Sequence, residues 1–407
     1  MKILTIHNTY KRPGGEDVVF EQERKLLEAN GHQVVAYRRS NFEIDAYGGV
    51  KRLVLIGKAV WSSDSKKEVT ELLRREKPDL VHVHNTFLMI SPSIYSACRE
   101  AGVPVVQTLH NFRLLCPGAT FFRDGKICED CTKHSLLSSV RHACYRDSHA
   151  TTAAVALMLT THRHLHTWDR DVTAFIALAE FTRRKFVANG LPEHKVFVKP
   201  NFVAPDPGVG SGDGDYVLFA GRLSPEKRVS TVLSAWTLLP KPIPLMIIGG
   251  GPEREDLEKE ALNAGLTHVK FCGQLSRHDV VEAMRRARFL VFSSEWYENF
   301  PLTIAESFAC GLPVLCSRIG AMQEIVEDRR TGLHFAAGDA RDLAEKVDWA
   351  WNNREFVAGL AKGARQEYLD KYTPEKNYAQ LIDIYQRAIA MNERGQSAEE
   401  PSLVGSA

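Results

Sequence analysis

The chain has 407 residues, 44% of them hydrophobic and 25% charged, which is the composition of a soluble globular protein large enough for two domains. No apolar run is long enough to span a bilayer and the N-terminus lacks a signal-peptide pattern, so we expect a cytoplasmic protein whose eight cysteines form no disulfide framework. The net charge of +2 divides into +8 for residues 1–200 (29 basic, 21 acidic) and −6 for residues 201–407 (23 basic, 29 acidic). This asymmetry predicts different partners for the two halves, with chance variation of solvated surfaces as the alternative.

Short apolar runs alternate with helical patterns along most of the chain, which predicts an α/β protein with doubly wound parallel sheets. The runs are rich in Val, Ile, Leu and Phe and show little alternation, as strands buried on both faces do. Strands are expected at residues 2–7, 33–37, 80–84, 103–110, 173–179 and 196–200 in the first half, and at residues 216–220, 245–249, 269–273, 289–293 and 313–317 in the second.

A segment dense in Pro, Gly and Asp at residues 201–215 predicts a linker between two Rossmann-like domains. The first domain would span residues 1–200 and the second residues 201–373, with a cleft where their strand ends face each other. A helix at residues 374–391 is expected to pack back on the first domain. The polar residues 392–407 are expected to form a disordered tail.

Glycines and histidines follow expected strands in the first half. Gly14 and Gly15 lie in the loop after the first strand, where a glycine pair suits either a ligand-binding turn or a flexible one. His110 ends the fourth strand in the motif LHNFR, and His84 ends the third. Both are candidates for cleft-facing side chains, because parallel sheets bind ligands at the carboxyl ends of their strands. A structural role for each histidine is the alternative.

Four cysteines with the spacing C-x11-C-x2-C-x12-C lie in the first half: Cys116, Cys128, Cys131 and Cys144. The spacing predicts a tetrahedral structural zinc site that would order a loop-like insertion at residues 116–144. An iron–sulfur cluster and four free thiols are the alternatives. The other cysteines fall in strand or helix patterns and are expected in the core: Cys98, Cys272, Cys310 and Cys316.

Two cations follow the first strand of the second half. Arg222 and Lys227 come after residues 216–220 and before a helix, at the edge of a parallel sheet where ligands bind. An arginine can form paired hydrogen bonds with phosphate oxygens and a lysine can act as a point charge. Together they would stabilise a charged leaving group without a metal. Surface charge on a loop is the alternative.

The next two strands are followed by a glycine turn and by an amide. Gly249 and Gly250 begin the sequence GGGPER, which permits close approach of a ligand or a tight turn but does not fit the G-x-G-x-x-G dinucleotide fingerprint. Gln274 and Leu275 follow the strand at residues 269–273, where amide and backbone groups could contact a nucleobase. Neither signal is specific by itself.

Residues 289–317 place two carboxylates around a helix start. Glu298 follows a buried strand, Pro301 suits the first helical position, and Glu306 lies about two turns into the helix. The free N–H groups and the dipole of the first helical turn predict an anion site. The residues expected around it are Asn299, Phe300, Pro301, Leu302 and Thr303. One carboxylate would bind sugar hydroxyls and the other ribose hydroxyls; a general-base role for Glu298 is the competing interpretation.

Four segments in this order resemble one known family: FAGRLSPEK, IIGGGPERE, VKFCGQLS and EWYENFPLTIAESFACGLPVLCSRIGAMQEIV. They are similar to the retaining, metal-independent glycosyltransferases of family 4 (glycosyl transferases group 1), typified by bacterial sugar transferases of surface polysaccharides. The segments cover residues 216–335, and weaker similarity covers residues 1–390. The resemblance implies the two-domain GT-B fold, with a nucleotide-sugar donor on the second domain and an acceptor on the first.

The resemblance also implies roles for single residues. Glu298 would contact hydroxyls of the donor sugar and Glu306 the ribose. Arg222 and Lys227 would hold the diphosphate, and His110 would donate a hydrogen bond to the transferred sugar. Backbone N–H groups at residues 300–303 would bind the distal phosphate. Glycines in loops that approach the donor would be Gly14, Gly15 and Gly320.

The resulting prediction is a glycosyltransferase, with hexosyl transfer expected, that moves a sugar from a UDP- or GDP-sugar to a glycan or lipid-linked acceptor. Retention of anomeric configuration and catalysis without a cofactor follow from the resemblance. A GT-B nucleotide-sugar epimerase and a non-catalytic sugar-binding homologue are the alternatives. No nucleic-acid partner is expected. Basic apolar segments at residues 51–61, 161–168 and 181–186 predict contact with the anionic inner face of the cytoplasmic membrane, with ordinary amphipathic helices as the alternative.

Overall fold

The computed structural model describes residues 1–11, 14–46, 48 and 51–399. Each strand expected from the sequence is present, with ends that differ by a few residues, and the α/β fold class is confirmed. The strands are β1 (Lys2–Thr9), β2 (Gln33–Ser40), β3 (Leu80–Asn85), β4 (Val105–Leu109), β5 (Phe122–Arg123), β6 (Lys126–Ile127), β7 (Ala174–Ala177), β8 (Val196–Val198), β9 (Val217–Ala220), β10 (Leu245–Ile248), β11 (Val269–Gly273), β12 (Leu290–Phe292), β13 (Val314–Ser317) and β14 (Gly332–Phe335).

Helices connect the strands on both faces of the sheets. They are α1 (Gly15–Ala29), α2 (Lys51–Val60), α3 (Ser63–Glu76), α4 (Ser93–Glu100), α5 (Asp130–Lys133), α6 (Leu137–Arg141), α7 (His149–His164), α8 (Glu180–Ala188), α9 (Val229–Thr237), α10 (Arg254–Asn263), α11 (Arg277–Arg286), α12 (Leu302–Ala309), α13 (Met322–Ile325), α14 (Ala340–Asn352), α15 (Arg354–Lys371) and α16 (Pro374–Glu399). None of the helices in the described ranges is long and apolar enough to cross a lipid bilayer.

Two six-stranded parallel sheets form the framework. The first has the order β2-β1-β3-β4-β7-β8, and the second has the order β11-β10-β9-β12-β13-β14. In each sheet, successive strands are added first to one side and then to the other side of the strand that comes first in sequence, β1 or β9. Each sheet therefore has a topological switch point, which is where doubly wound folds bind their ligands. The loops after β1, β3 and β4 and the loops after β9 and β12 therefore surround the candidate site.

The central strands are apolar because both of their faces are covered by helices. Every residue of β3 and β9 is buried. The sequence did not predict β14 or the small β5–β6 hairpin. β14 reads GLHF, a run too short and too interrupted by glycine and histidine to stand out. Gly332 is required there because a Cβ would collide with the carbonyl of Val314 on the neighbouring strand.

Helix α16 returns to the first domain, as predicted. Tyr385 Oη and His82 Nδ1 are 2.7 Å apart, and Asn377 Nδ2 donates to the carbonyl of Pro200 at 2.7 Å. The helix continues to Glu399, so the expectation of a disordered tail from residue 392 is wrong for residues 392–399. Asn392 Nδ2 donates to the carbonyl of Gly102, which anchors a segment whose polar composition alone suggested disorder. Residues 400–407 lie outside the described residues.

The insertion at residues 116–144 contains the β5–β6 hairpin, α5 and α6. It was expected to be loop-like, but Phe121 and Leu136 are buried in the same apolar cluster as the first sheet. The segment is therefore ordered partly by the core of the domain that carries it. Three of the four cysteines expected in the core, Cys98, Cys310 and Cys316, are buried, whereas Cys272 is only partly buried because it lies on the edge strand β11.

Candidate active site

Lys227 and Glu298 pair at the ends of two neighbouring strands. Lys227 lies in the loop after β9, and Glu298 lies in the loop after β12. Lys227 Nζ donates to Glu298 Oε1, which also accepts a 2.7 Å hydrogen bond from Ser294 Oγ. Ser293 Oγ donates to the carbonyl of Lys227 at 2.7 Å and so joins the two loops. The structure brings these two predicted site residues together in one polar cluster.

Asn299 joins the second domain to the first. Its Nδ2 donates to the carbonyl of Leu109, the last residue of β4, at 2.8 Å, and its Oδ1 accepts from Thr182 Oγ1 at 2.7 Å. Asn299 and both of its partners are buried, so water does not compete for these bonds. Because His110 follows Leu109, the Glu298 loop is held beside the end of β4. Both polar groups of the Asn299 side chain are used in this contact. Only the backbone of Asn299 is left to bind the nucleotide-sugar donor, as the sequence predicts for this residue.

The start of α12 faces the glycine loop of the first domain. The helix begins at Leu302, and Pro301 is its extended N-cap rather than its first helical residue as predicted. A Cβ added to Gly15 would contact Leu302 Cδ1 at 3.5 Å, so the two loops lie against each other. Phe300 is buried and packs against Tyr372 with ring centroids 5.5 Å apart. The backbone around Leu302 and the adjacent Thr303 is thus held at the cleft by a side chain anchored in the core.

Glu306 lies in the second turn of α12 and has a cation of its own. Its Oε1 is 3.4 Å from Nη2 of Arg277, the first residue of α11. Burial raises the pKa of the Glu306 carboxyl, and Arg277 opposes that shift. Glu298 pairs with Lys227 and Glu306 pairs with Arg277, so the two carboxylates do not form an acid/base couple. The sequence offered one signal for Arg277, its position just after Gln274 and Leu275 at the start of a helix.

The cations after β9 differ in their surroundings. Arg222 is exposed, and its guanidinium makes no ion pair with any residue in the described part of the chain. Lys227 is mostly buried, and its Nζ lies 5.0 Å from the ring centroid of Phe292. Arg228, which sequence reasoning missed, donates to Glu295 Oε2 at 3.0 Å. Of the two predicted cations, Arg222 is the one whose charge is left for an anionic ligand.

The glycine turn after β10 is required by packing. Gly249 has φ +147°, and a Cβ there would collide with the carbonyl oxygen of Gly221. A Cβ at Gly251 would collide with the backbone of the same neighbouring loop. A Cβ at Gly250 would meet only the side chain of Gln274, at 4.0 Å. Gly249 and Gly251 therefore allow the loops after β9 and β10 to touch, and Gly250 borders open space.

Gln274 and Leu275 lie at the far end of the second sheet. Both side chains are exposed just after β11. The preceding Gly273 has φ +72°, and a Cβ there would crowd the guanidinium of Arg254. Gly320, in the loop after β13, also has positive φ and lies against Tyr297. The structure therefore places Gln274 beside Gly250, and Gly320 beside the Glu298 loop.

His110 and His84 contact each other at the ends of β4 and β3. Nε2 of His110 and Nδ1 of His84 are 3.0 Å apart, and the rings stack with centroids 5.2 Å apart. Burial lowers the pKa of both imidazoles well below the usual value, so both are neutral at pH 7. The predicted role of His110 in the cleft is compatible with this position, since Nδ1 of His110 has no partner among the described residues.

Glu16 is a site candidate that sequence reasoning missed. Its Oε1 accepts from Asn85 Nδ2 at 3.0 Å and its Oε2 from Asn111 Nδ2 at 3.4 Å. Burial, followed by the nearby Asp17 carboxylate, raises the pKa of Glu16 to about 8. Asp17 holds the backbone N–H of Gly14 at 2.7 Å and so fixes the glycine loop. The available signal was the position of Glu16 directly after the glycine pair.

The cysteine-bearing insertion reaches the second domain. Arg228 Nη2 donates to the carbonyl of Gly125 in the β5–β6 turn at 2.6 Å. Tyr297, which precedes Glu298, donates from its hydroxyl to Glu129 Oε1 at 3.0 Å. Two residues that flank the Lys227–Glu298 pair in sequence therefore bind the insertion, which forms one wall of the cleft.

The four cysteines of the insertion do not converge to ligand distance. Within the described ranges, Glu23, His82 and His84 form the group whose potential metal-ligand atoms all lie within 4.8 Å of one another, and this group contains no cysteine. Burial, followed by the nearby Cys116 thiol, raises the pKa of Cys131 to about 11. The cysteines are thus neighbours without being a closed ligand set, and zinc stays a prediction.

The basic segment at residues 181–186 lies at the domain junction. Arg184 pairs with Glu324 of the second domain, and Lys185 pairs with Glu129 at 2.5 Å. Phe181 packs against the Tyr297 ring with centroids 4.9 Å apart. These contacts pair the cations of the segment within the protein, while Arg184 stays exposed, and contact with a membrane stays a prediction.

Comparison with known proteins agrees with this geometry. The model of the glycosyltransferase family 4 domain matches residues 13–207, and that of glycosyl transferases group 1 matches residues 208–367. The chain thus matches glycosyltransferase models over residues 13–367. It is 18% identical to HepE of Anabaena, solved in complex with UDP, with a TM-score of 0.68 over 95% of this chain and 100% of that one, which shows the GT-B fold.

Curated relatives are distant. N-acetyl-α-D-glucosaminyl L-malate synthase of Bacillus anthracis is 20% identical over 97% of this chain and 100% of its own length. A glycosyltransferase of Methanocaldococcus jannaschii is 29% identical over 50% of this chain and 57% of its own length. The chain spans roughly half the length of most of the curated relatives it matches.

Replacing Gly249 by alanine tests the packing role of the glycine turn. We expect Gly249→Ala to lower the free energy of unfolding by about 2 kcal/mol or more, because it adds backbone strain and a collision with a carbonyl oxygen. The matched control is Gly250→Ala, which should leave stability nearly unchanged. Urea denaturation of both variants measures the difference, and equal stability of the two would contradict the packing argument.

The raised pKa of Glu16 predicts a pH-dependent stability. Between pH 4.5 and about 8 the folded protein keeps a proton on Glu16 that the unfolded chain releases, so this group makes the free energy of unfolding fall as pH rises through that window. Glu16→Gln should remove this contribution, and its stability relative to the parent should therefore improve with pH. Glu28→Gln, on the exposed face of α1, is the control. Parallel pH profiles for parent and Glu16→Gln would show that Glu16 titrates normally.

Proposed function

We propose that the protein transfers a sugar from a nucleoside-diphosphate sugar to a hydroxyl acceptor. The observation that carries the proposal is the Lys227–Glu298 pair at the second switch point, joined through Asn299 to the strand end that presents His110. A cation for a diphosphate, a carboxylate for sugar hydroxyls and a histidine from the opposite domain then share one cleft. The family of the chain and the UDP complex of HepE support this reading of the cleft.

The donor would lie along the edge of the second sheet. Glu306 would accept hydrogen bonds from the ribose, and Gln274 would border the base. The N–H groups of Leu302 and Thr303 at the start of α12, together with Arg222 and Lys227, would hold the diphosphate. Glu298 would accept from the sugar hydroxyls once the diphosphate draws Lys227 from its present partner. UDP-hexoses and GDP-hexoses remain the two expected classes of donor.

Catalysis would rest on stabilising the leaving group. As the glycosidic bond breaks, negative charge develops on the diphosphate. The two cations and the N-terminus of α12 stabilise this charge, so they stabilise the transition state more than the ground state. The proposal needs no metal for this step. A front-side reaction, in which the leaving phosphate accepts the acceptor's proton, would retain the anomeric configuration.

The acceptor would enter from the first domain. Glu16, Asn85 and Asn111 form a polar group after β1, β3 and β4, on the same edge of the sheet as His110. Amides and a protonated carboxyl at this position suit the hydroxyls of a glycan or of a lipid-linked sugar. A role in surface-polysaccharide synthesis on the cytoplasmic face of a membrane is part of this proposal.

Assays with and without an acceptor separate the alternatives. An epimerase interconverts nucleotide sugars and keeps the nucleotide attached, whereas a binding homologue shows no turnover. A transferase releases nucleoside diphosphate faster when its acceptor is present. NMR of the product, with inversion of the anomeric centre as the contradicting result, tests retention.

Two isosteric substitutions test the assigned carboxylates. Glu306→Gln should weaken nucleoside-diphosphate binding about 10-fold or more, since it removes a charged hydrogen-bond acceptor from the ribose. Glu298→Gln should leave nucleoside-diphosphate affinity within a few-fold but weaken binding of the intact nucleotide sugar by a similar factor. Calorimetric titration of UDP, GDP and their sugars measures both effects.

The control for these variants is Glu345→Gln, an exposed position of α14 in the same domain. It should bind every ligand as the parent does. If Glu298→Gln and Glu306→Gln lose affinity for the nucleoside diphosphate to the same extent, the division into a sugar carboxylate and a ribose carboxylate is incorrect.

We propose structural zinc for the insertion as well, and metal analysis decides it. Coordination would draw Cys116, Cys128, Cys131 and Cys144 into a tetrahedron and tie the insertion to the cleft wall. The purified protein should then contain close to one zinc per chain, and a chelator should lower its melting temperature. Less than a tenth of a zinc equivalent (about 0.1 per chain) after purification without chelators would contradict a structural site.

A further inference from the structure

A buried ion pair lies beneath the cleft in the first domain. Glu23 of α1 and Lys199, which follows β8, are both almost completely buried, and Glu23 Oε1 lies 2.5 Å from Lys199 Nζ. Taking both charges out of water costs free energy that their attraction often fails to offset, and apolar side chains of similar size commonly serve stability as well. The pair is therefore a candidate for a role other than stability.

The second oxygen of this carboxylate faces two histidines. Glu23 Oε2 has no hydrogen-bond partner in the described part of the chain, and it lies 3.5 Å from His84 Nε2 and 3.9 Å from His82 Nδ1. An unpaired anionic oxygen repels an imine lone pair and attracts an N–H group. The arrangement therefore favours the tautomer of His84 that carries its proton on Nε2.

Glu23, His82 and His84 also form the group whose ligand atoms lie close enough for a metal ion. Two observations argue against that use. The ammonium group of Lys199 lies against the same carboxylate, where it would repel a cation. Both ring nitrogens of His82 already have hydroxyl partners, Thr108 Oγ1 at 2.8 Å and Tyr385 Oη at 2.7 Å. The cluster is better suited to fixing the position of protons.

The tautomer of His84 determines the tautomer of His110. The two rings are neutral because burial keeps the pKa of each well below the usual value. Their shared hydrogen bond of 3.0 Å between His84 Nδ1 and His110 Nε2 needs one donor and one acceptor. With its proton on Nε2, His84 accepts at Nδ1, so His110 must donate from Nε2. Nδ1 of His110 then carries a lone pair.

We propose that Lys199, Glu23 and His84 are positioning residues that fix His110 in its Nε2–H tautomer, with Nδ1 as a hydrogen-bond acceptor for a hydroxyl group of the bound sugar or acceptor. His110 would thus accept where the family resemblance implied that it donates. His110 is partly exposed, and its Nδ1 has no protein partner within the described residues, so it can meet a ligand. Only the identity of the hydroxyl rests on the proposed function, because the tautomer belongs to the ligand-free protein.

Nitrogen-15 NMR of the full chain tests the tautomer directly. Protein labelled at its histidine ring nitrogens gives long-range proton–nitrogen spectra in which protonated and bare nitrogens are distinct, and His110→Gln identifies the signals of His110. The expected result is a protonated Nε2 and a bare Nδ1 for both His110 and His84. A proton on Nδ1 of His110 would overturn the proposal, whether or not any sugar transfer is found.

A double substitution tests the positioning role. Glu23→Leu with Lys199→Met removes both charges without leaving one unpaired, so the fold should be kept. Its histidine spectra should show His110 exchanging between both tautomers, and kcat should fall about 10-fold or more while KM for the donor stays unchanged. The matched control applies the same exchange to the surface pair Lys2 and Glu76, which are 2.7 Å apart, and should change neither readout.

Glu23→Gln keeps the test decisive if the double variant does not fold. Its amide can donate to an unprotonated Nε2 of His84, so the variant should shift His84 and His110 toward their Nδ1–H tautomers. Unchanged tautomers in either folded variant would refute the positioning role. If the tautomers shift as expected but no nucleotide sugar is ever consumed by the parent, the tautomer relay stands and the proposed function fails.

Discussion

The arrangement of the cleft depends on the two hydrogen bonds of one buried amide. Asn299 leaves the second sheet in the loop after β12 and binds the end of β4 and the hydroxyl of Thr182 in the first domain. Glu298 precedes Asn299 in sequence. Asn299 binds the carbonyl of Leu109, and His110 directly follows Leu109. The side chains proposed to contact the sugar therefore come from different sheets but are held together by one contact. Breaking a buried hydrogen bond of this kind costs more free energy than an average hydrogen bond contributes to stability, because it leaves a buried polar group unsatisfied.

Around that contact, each charged group has a partner that sets its role. Lys227 pairs with Glu298, and Arg277 pairs with Glu306. Arg222 alone among the predicted cations stays exposed. On the other side of the cleft the polar groups are neutral instead: His84 and His110 are uncharged through burial, and Glu16 holds its proton well above the usual range. One wall is suited to an anion and the other to hydroxyl groups.

The sequence predicted the framework well because its signals are local. Strands buried on both faces are continuous apolar runs, and the Glu298–Glu306 spacing around a helix start is visible without a structure. It did not reveal Arg277, Glu16 or the Glu23–Lys199 pair, since their partners are distant in the chain: Lys199 lies 176 residues from Glu23. It also misjudged residues 392–399, whose polar composition suggests disorder although α16 continues through them. Gly249 could be recognised as special from sequence, but only the structure separates its packing role from the open position of Gly250.

Hydrogen–deuterium exchange with UDP or GDP added measures whether the loops of the second sheet bind a nucleoside diphosphate. If they do, one of these ligands should slow exchange at residues 222–228, 249–251 and 298–306, with smaller changes at the glycine loop around Gly15. Binding that protects only the loops after β3 and β4, or saturating ligand that protects none of these segments, would contradict this expectation.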